Sequence, residues 1–140
     1  MRQGIAAITL GVESLARSRR FYTGGFGWSP IFENGEIIFY QMNGLVFATW
    51  LQISLEADSH QYALQNPGAI TIAHNVGSAE DVDQLLDQLH RAGGRMLRPA
   101  DTPPQGGYRG YVADPDGHCW EIAFNPSWSI DEMGHVTFGV

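Results

Sequence analysis

The most informative part of this 140-residue chain is GYVADPDGHCWEIAFNP, residues 110–126. Its centre, Asp114-Pro-Asp-Gly117, consists of residues that favour tight turns. Apolar and aromatic residues flank this turn on both sides, so strands are expected over 108–113 and 119–124. The stretch therefore predicts a β-hairpin.

The second strand of this hairpin has two different faces. Side chains alternate across a strand, so Trp120, Ile122 and Phe124 share one face and Glu121 lies on the other. We expect the bulky face to pack against a helix and Glu121 to face a ligand cavity. Partial desolvation there would raise the pKa of Glu121, which could act as a general base or anchor a ligand. The alternative is that Glu121 pairs with Arg109 or another cation and only retains an ancestral sequence pattern.

The residues before the hairpin complete a module of order β-α-β-β-β. A strand is expected over 69–76, and Ser78 is a suitable N-cap for the helix that follows. Apolar residues recur along that helix at i, i+3, i+4 and i+7, as Val82, Leu85, Leu86 and Leu89. Gly93-Gly94 ends the helix, and a strand follows near 95–99.

The first half of the chain repeats this order. A strand over 5–12 leads to a helix that begins near Ser14 and ends before Gly24 and Gly25. Three strands are expected at about 28–33, 36–42 and 45–52. Asn43-Gly44 joins the last two and predicts a type I′ turn, in which both central residues have positive φ.

The two halves predict an internal duplication, since Val12 matches Val76 and Gly44 matches Gly117. We expect one domain, 1–140, with module one at about 5–52, a linker at 53–68 and module two at about 69–126. The tail, 127–140, is expected to be extended, with a turn at 131–134 and a short final strand.

Three stretches resemble the vicinal oxygen chelate superfamily, which includes glyoxalase, bleomycin-resistance and extradiol dioxygenase proteins. They are LGVESLARSRRFY (10–22), VGSAEDVD (76–83) and the hairpin stretch 110–126. The resemblance implies an α+β fold in which the curled mixed sheets of two tandem β-α-β-β-β modules enclose a cavity. It also implies four metal-ligand positions, which fall on Ala7, Ala48, Thr71 and Glu121. Only Glu121 has a side chain suited to bind a metal.

Strand parity defines the rest of the expected cavity. The residues opposite the bulky face of the first strand of each module are small or weakly polar, which leaves room for a ligand. Aromatic residues nearby could stack on a flat organic molecule or simply fill the core. Glu121 is the candidate catalytic residue, and the candidate ligand-binding residues are Thr9, Phe39, Gln41, Ala48, Trp50, Thr71, Tyr108, Tyr111 and Glu121.

The five histidines are not obvious ligands. His74 falls on the helix side of its strand by parity, which favours packing, although a shift of one residue would reverse this. His118 in the hairpin turn and His90 near the end of a helix are expected at the surface. His60 and His135 lie in the linker and the tail, and the sequence assigns them no role.

Composition narrows the possible partners. Fifteen acidic and eight basic residues give a net charge of -7, so nucleic acid is not expected as a partner. Cys119 is the only cysteine, and no apolar stretch is typical of a signal peptide or a membrane span. We expect a cytoplasmic protein that makes no membrane contact and forms a homodimer, with Trp128 and the final strand in the interface.

The sequence thus predicts a glyoxalase-related protein that binds a small organic ligand or substrate without the standard four-ligand metal site and without a cofactor. The alternative is a metal-dependent lyase, isomerase or dioxygenase with a relocated site built on Glu121 and His74 or a tyrosine. Three of four ligand positions depart from the pattern, so a standard glyoxalase I is not expected.

Overall fold

Two four-stranded mixed sheets, one in each module, form the framework of the computed structural model, which describes residues 1–139. In each sheet the first and last strands of the module are parallel and the other neighbours are antiparallel. Module one has the order β1-β4-β3-β2, built from β1 (Ala7–Val12), β2 (Phe32–Glu33), β3 (Ile37–Gln41) and β4 (Val46–Leu51). Module two has the order β5-β8-β7-β6, built from β5 (Thr71–Asn75), β6 (Arg95–Asp101), β7 (Tyr108–Ala113) and β8 (Cys119–Phe124).

Residues 1–139 also contain three α-helices, a short π-helix and a small hairpin. The helices are α1 (Leu15–Arg19), α2 (Gln52–Ser59) and α3 (Ala79–Arg91), and the hairpin in the tail pairs β9 (Ser129–Ile130) with β10 (Val136–Thr137). The predicted α+β class with two tandem modules is confirmed. No helix within residues 1–139 is both long and apolar enough to cross a bilayer.

The first helix differs from the prediction. Ser14 caps α1 as expected, with its hydroxyl accepting from the backbone N–H of Arg17 at 3.2 Å. The chain then continues as a π-helix over Arg20–Gly25. This wider turn leaves Phe21 and Tyr22, adjacent in sequence, both fully buried in the core.

Two other predicted elements are corrected. The strand expected at 28–33 is reduced to Phe32–Glu33, because Gly27 has a φ of +79° and Pro30 has no N–H to donate to a sheet. The turn at Asn43-Gly44 is not type I′, since only Gly44 has a positive φ, of +86°.

The linker contains the helix α2, which its sequence pattern did not indicate. This helix packs on β1 at Gly11, where an added Cβ would lie 3.3 Å from Leu55 Cδ2. The absence of a side chain at Gly11 therefore allows α2 to cover one end of the sheet of module one.

One hydrophobic core serves both modules. Tyr22 is its centre, with ring centroids 4.9 Å from Phe47 of module one and 5.8 Å from Trp120 of module two. Leu86 and Leu89 of α3 belong to the same cluster. The helix-side faces of both sheets therefore line the shared core. The opposite face of each sheet, here called its outer face, points away from this core.

Candidate functional site

The outer face of module two carries a hydrogen-bonded pair of polar side chains. Tyr111 and Glu121 are direct cross-strand partners on β7 and β8, and the Tyr111 hydroxyl donates to Glu121 Oε2 at 2.6 Å. This hydrogen bond, followed by burial, raises the pKa of Tyr111. Both side chains are half-buried, so a ligand could reach them.

Arg109 does not neutralise Glu121. Its guanidinium binds Asp101, which Arg98 also contacts at 3.0 Å, and these two arginines hold the pKa of Asp101 below its usual range. The Arg109 guanidinium carbon lies 5.8 Å from the centre of the Tyr111 ring. The ion pair that was the alternative for Glu121 is therefore made by Asp101 instead.

Small side chains surround the Tyr111–Glu121 pair. Ala73 is the partner of Glu121 on β5, and Thr71 is the partner of Cys119. Thr71 and Ala73 are exposed, and the thiol of Cys119 is free. This combination leaves open space in front of a carboxylate and a phenol.

The outer face of module one is mainly apolar and carries no ionisable residue among those predicted to bind a ligand. Thr9, Ala48 and Phe39 lie side by side on β1, β4 and β3. Trp50 lies further along the same face, and Gln41 donates to the carbonyl groups of its own hairpin, at 2.9 and 3.2 Å. Ala48 is fully buried, whereas Gln41 is exposed.

The predicted site residues therefore fall into two groups that a single chain does not bring together. The outer face of module two carries Thr71, Tyr111 and Glu121. The outer face of module one carries all the others except Tyr108, namely Thr9, Phe39, Gln41, Ala48 and Trp50. Tyr108 lies on the helix side of β7 and donates to Asp83 of α3 at 2.9 Å.

The four positions that the resemblance assigns to metal ligands do not fit a metal. Ala7 and Ala48 lie on module one, Thr71 and Glu121 on module two, and only Glu121 offers a strong donor. Within residues 1–139, no three side chains of His, Cys, Asp or Glu are grouped so that they could hold a metal ion.

A cleft of about 660 Å³ lies between the modules, which the sequence did not reveal. Aromatic and aliphatic side chains of the core side supply much of its wall, and the tail hairpin contributes Gly134 to Val136. The principal wall residues are Ile8, Trp28, Phe47, Ile72, His74 and Trp120.

His74 faces this cleft from the helix side of β5, as parity predicted. Its ring meets Phe26 edge to face at 5.4 Å and Trp28 at 6.1 Å. Burial lowers its pKa. The neutral imidazole is therefore the favoured form at this position near neutral pH.

The prediction for His118 is wrong, because this residue is 7% exposed. Its Nε2 lies 2.7 Å from the Gly11 carbonyl oxygen of β1, and its backbone N–H donates to Asp114. Asp116 in the same turn accepts from the Glu13 backbone at 2.8 Å and from Arg17 at 2.9 Å. The turn is thus buried because it joins module two to module one.

A second cavity of similar volume lies beside this junction. Its charged groups have partners in the chain itself: Arg17 binds Asp116, and Glu56 accepts from Gln52 and from the Leu64 backbone at 3.0 Å each. These contacts lower the pKa of Glu56. We assign this cavity to the junction rather than to a site.

Comparisons with known proteins agree with this architecture. A glyoxalase-related enzyme from Fulvimarina pelagi is 56% identical, with a TM-score of 0.97 over 99% of this chain and 100% of that chain. A genomically encoded fosfomycin resistance protein from Listeria monocytogenes is 25% identical, with a TM-score of 0.70 over 89% of this chain and 95% of that chain. A lactoylglutathione lyase from Agrobacterium tumefaciens is 19% identical, with a TM-score of 0.69 over 94% of this chain and 100% of that chain, which shows a shared fold.

The family model of the Glyoxalase/Bleomycin resistance protein/Dioxygenase superfamily matches residues 4–122, which include nearly all of both modules. The chain belongs to that superfamily.

Proposed function

We propose that this protein binds a small organic molecule on the outer face of module two and holds it through Glu121 and Tyr111. The observation that carries the proposal is the 2.6 Å hydrogen bond between these side chains on an open, half-buried surface. Tyr111 donates to Oε2, so Oε1 remains an acceptor for a hydroxyl, amide or ammonium group of the ligand.

The neighbourhood of the pair supports this role. Thr71 and Ala73 are small, so a ligand can approach the carboxylate without displacing a bulky side chain. Asp101 holds Arg109, so the negative charge of Glu121 is available to a ligand. The proposed ligand is therefore a hydrogen-bond donor.

No metal is part of this proposal. A catalytic metal needs about three protein donors around one point, and Ala7, Ala48 and Thr71 supply none of the strong donors that such a site requires. Glu121 then acts as an anchor by itself, with Tyr111 fixing its orientation.

A second copy of the chain is proposed to cover the site. The outer face of module one is apolar, and beside it Phe32 is 51% exposed and Ile31 is 61% exposed. Packing this face of one copy over module two of the other would bury apolar surface and enclose two equivalent sites. In the tail, the side chains of Trp128 and Phe138 are exposed and their ring centroids lie 5.4 Å apart. They offer further apolar contact area.

The ligand site is tested by a thermal-shift screen of small organic compounds against four proteins: the wild type, Glu121→Gln, Tyr111→Phe and Tyr108→Phe. Hits should bind about tenfold more weakly to the first two variants, because Glu121→Gln removes the charge that the ligand donor binds and Tyr111→Phe removes the hydrogen bond that orients the carboxylate. Tyr108→Phe is the matched control, since it also removes a tyrosine hydroxyl bonded to a carboxylate but on the other face of β7. Equal affinity for all four proteins would contradict the proposal.

The metal-free site and the dimer have their own measurements. Mass spectrometry of tag-free protein should find no stoichiometric metal in the wild type or in Glu121→Ala. Metal in the wild type that is lost in the variant would instead support a metal-dependent lyase, isomerase or dioxygenase. Sedimentation at micromolar concentration should give twice the monomer mass of 15.4 kDa, and a 15.4 kDa species alone would contradict the dimer.

A further inference from the structure

The cleft between the modules lies where the two halves of the chain differ locally. At one junction, His118 of module two lies 2.7 Å from the Gly11 carbonyl of β1. The pairings Gln41↔Val46 and Ala113↔Cys119 place Leu45 at the position in module one that His118 occupies in module two. An apolar side chain cannot form the corresponding polar contact, and the second junction is open, with Leu45 and Asn75 in the wall of the cleft.

Within residues 1–139, the wall of the cleft carries no Asp, Glu, Lys or Arg side chain. Its polar side chains are those of Gln41, Asn43, His74, Asn75 and His135, and the rest of the wall is apolar. Trp28, Phe47 and Trp120 present three aromatic rings, and their centroids lie within 6 Å of one another pairwise. Transfer of a charged molecule into such a wall would leave its charge uncompensated. The composition of the cleft therefore favours an uncharged ligand with an aromatic ring.

His74 is the polar side chain of this wall whose ring packs against the aromatic residues Phe26 and Trp28. No side chain or backbone group of residues 1–139 forms a hydrogen bond with its ring, although the ring is half-buried between Phe26 and Trp28. A neutral imidazole has one nitrogen that donates and one that accepts. A ligand hydroxyl or carbonyl group in the cleft would satisfy one of them.

The tail hairpin forms one rim of the cleft. Its turn is fixed by Asp131, whose carboxylate accepts from the backbone N–H groups of Met133 and His135 at 2.9 Å each. Gly134 lies so close to the loop of module one that an added Cβ would be 2.7 Å from Asn43 Nδ2. The tail hairpin therefore lies directly against the Asn43 side chain at this edge of the cleft.

We propose that this cleft is a second binding site, distinct from Glu121 and Tyr111, that takes an uncharged aromatic molecule with a hydroxyl or carbonyl group. Its volume, about 660 Å³, lies within the range of ordinary ligand pockets. The aromatic walls receive the ring, and His74 hydrogen-bonds the oxygen of the ligand.

The test is an NMR titration of the 15N-labelled protein with 4-methylphenol as the probe. We expect saturable shifts at Ile72, His74, Asn75 and the Trp28 indole N–H. The anion 4-methylbenzoate has a similar size and should bind at least about tenfold more weakly, because the aromatic part of the wall offers it no cation and His135 at the rim is already paired with Asp131 at 3.0 Å. Shifts that do not saturate, that centre on Glu121 and Tyr111, or that are as strong with the anion would overturn the proposal.

Two variants separate this site from the one on the outer face. His74→Phe keeps an aromatic ring but removes both nitrogens, and should weaken 4-methylphenol binding about three- to tenfold, as expected for one neutral hydrogen bond. Tyr111→Phe should leave that affinity unchanged. If Tyr111→Phe weakened 4-methylphenol binding and His74→Phe did not, the cleft site would be overturned and the proposal for Glu121 would be unaffected. If His74→Phe does not fold, the residues that shift in the wild-type titration decide the question.

Discussion

Tyr22 donates a 2.6 Å hydrogen bond to Asp114, and this bond joins the helical segment of module one to the hairpin of module two. The Trp120 indole N–H donates to the same hydroxyl at 3.0 Å. Tyr22 is 0% exposed and Asp114 is 2% exposed. Burial is the main cause of the raised pKa of Tyr22 and of Asp114. The shared core therefore contains a polar contact in which each of these groups relies on the other for a hydrogen bond.

Tyr22→Phe should lower the free energy of unfolding by about 2 kcal/mol, because Asp114 loses a donor and Trp120 loses an acceptor inside the core. Urea unfolding measures the loss. Tyr62→Phe is the control, since Tyr62 is 71% exposed, and it should change stability by less than about 0.5 kcal/mol. If the two variants lose equally little, the buried bond does not hold the modules together.

Replacement of His118 should weaken the junction between the modules. His118→Leu gives this turn the residue found at the matching position, Leu45, and removes the contact with the Gly11 carbonyl. We expect a loss of about 1–2 kcal/mol in the free energy of unfolding. His118→Gln retains an amide donor and should recover part of that loss, whereas equal losses for both variants would show that packing rather than the hydrogen bond matters.

Two glycines should respond to alanine in opposite directions. At Gly94 an added Cβ would lie 2.7 Å from Phe21 and 2.8 Å from the Leu89 carbonyl, so Gly94→Ala should destabilise the protein by about 1–3 kcal/mol. At Gly24 an added Cβ would meet no atom of residues 1–139 within 4 Å apart from its own helix backbone and chain neighbours, and Gly24→Ala should stabilise the helix by about 0.4–1 kcal/mol. Thermal unfolding of both variants is the measurement, and a tolerated alanine at Gly94 would contradict the close packing there.

The stability of the protein should depend on pH through His74. Burial lowers its pKa below the ordinary value of 6.5, so between the two values the unfolded chain binds more protons than the folded chain. Stability therefore falls as the pH decreases below about 6.5 towards the folded pKa, and it is fully present above 6.5. Urea unfolding at pH 5 and pH 7 should show a smaller difference for His74→Phe than for the wild type, and NMR titration should give His74 a pKa below the ordinary value of 6.5.

Local patterns in the sequence predicted most of the fold. The strands at 108–113 and 119–124 and the capped helix after Ser78 lie where turn residues and periodicity indicate. These elements depend on neighbours in sequence. The π-helix after Arg19 and the short second strand depend instead on how Phe21, Tyr22 and Trp28 pack in a core shared with residues about a hundred positions away.

The candidate site could be predicted only in part, for the same reason. Parity placed Glu121 opposite the helix side and His74 on the helix side, as observed. Alternation along β7 also puts Tyr108 and Tyr111 on opposite faces, so the prediction that both belong to one site was wrong, and only the register across the turn identifies Tyr111 as the partner of Glu121. His118 is 107 residues from Gly11, and no local signal in a turn indicates a contact over that distance. The cleft arises from the relation between two modules and has no motif of its own.

The difference between Leu45 and His118 shows how an internal repeat can become asymmetric in use. Duplication gives a protein two equivalent junctions between its modules. A polar residue closes one junction with a hydrogen bond, and an aliphatic residue at the matching position leaves the other junction open. A new cavity then requires no new secondary structure and no inserted loop. For designers of tandem-repeat proteins, the side chain that follows the hairpin glycine is therefore one position to vary when such a cavity is wanted or is to be closed.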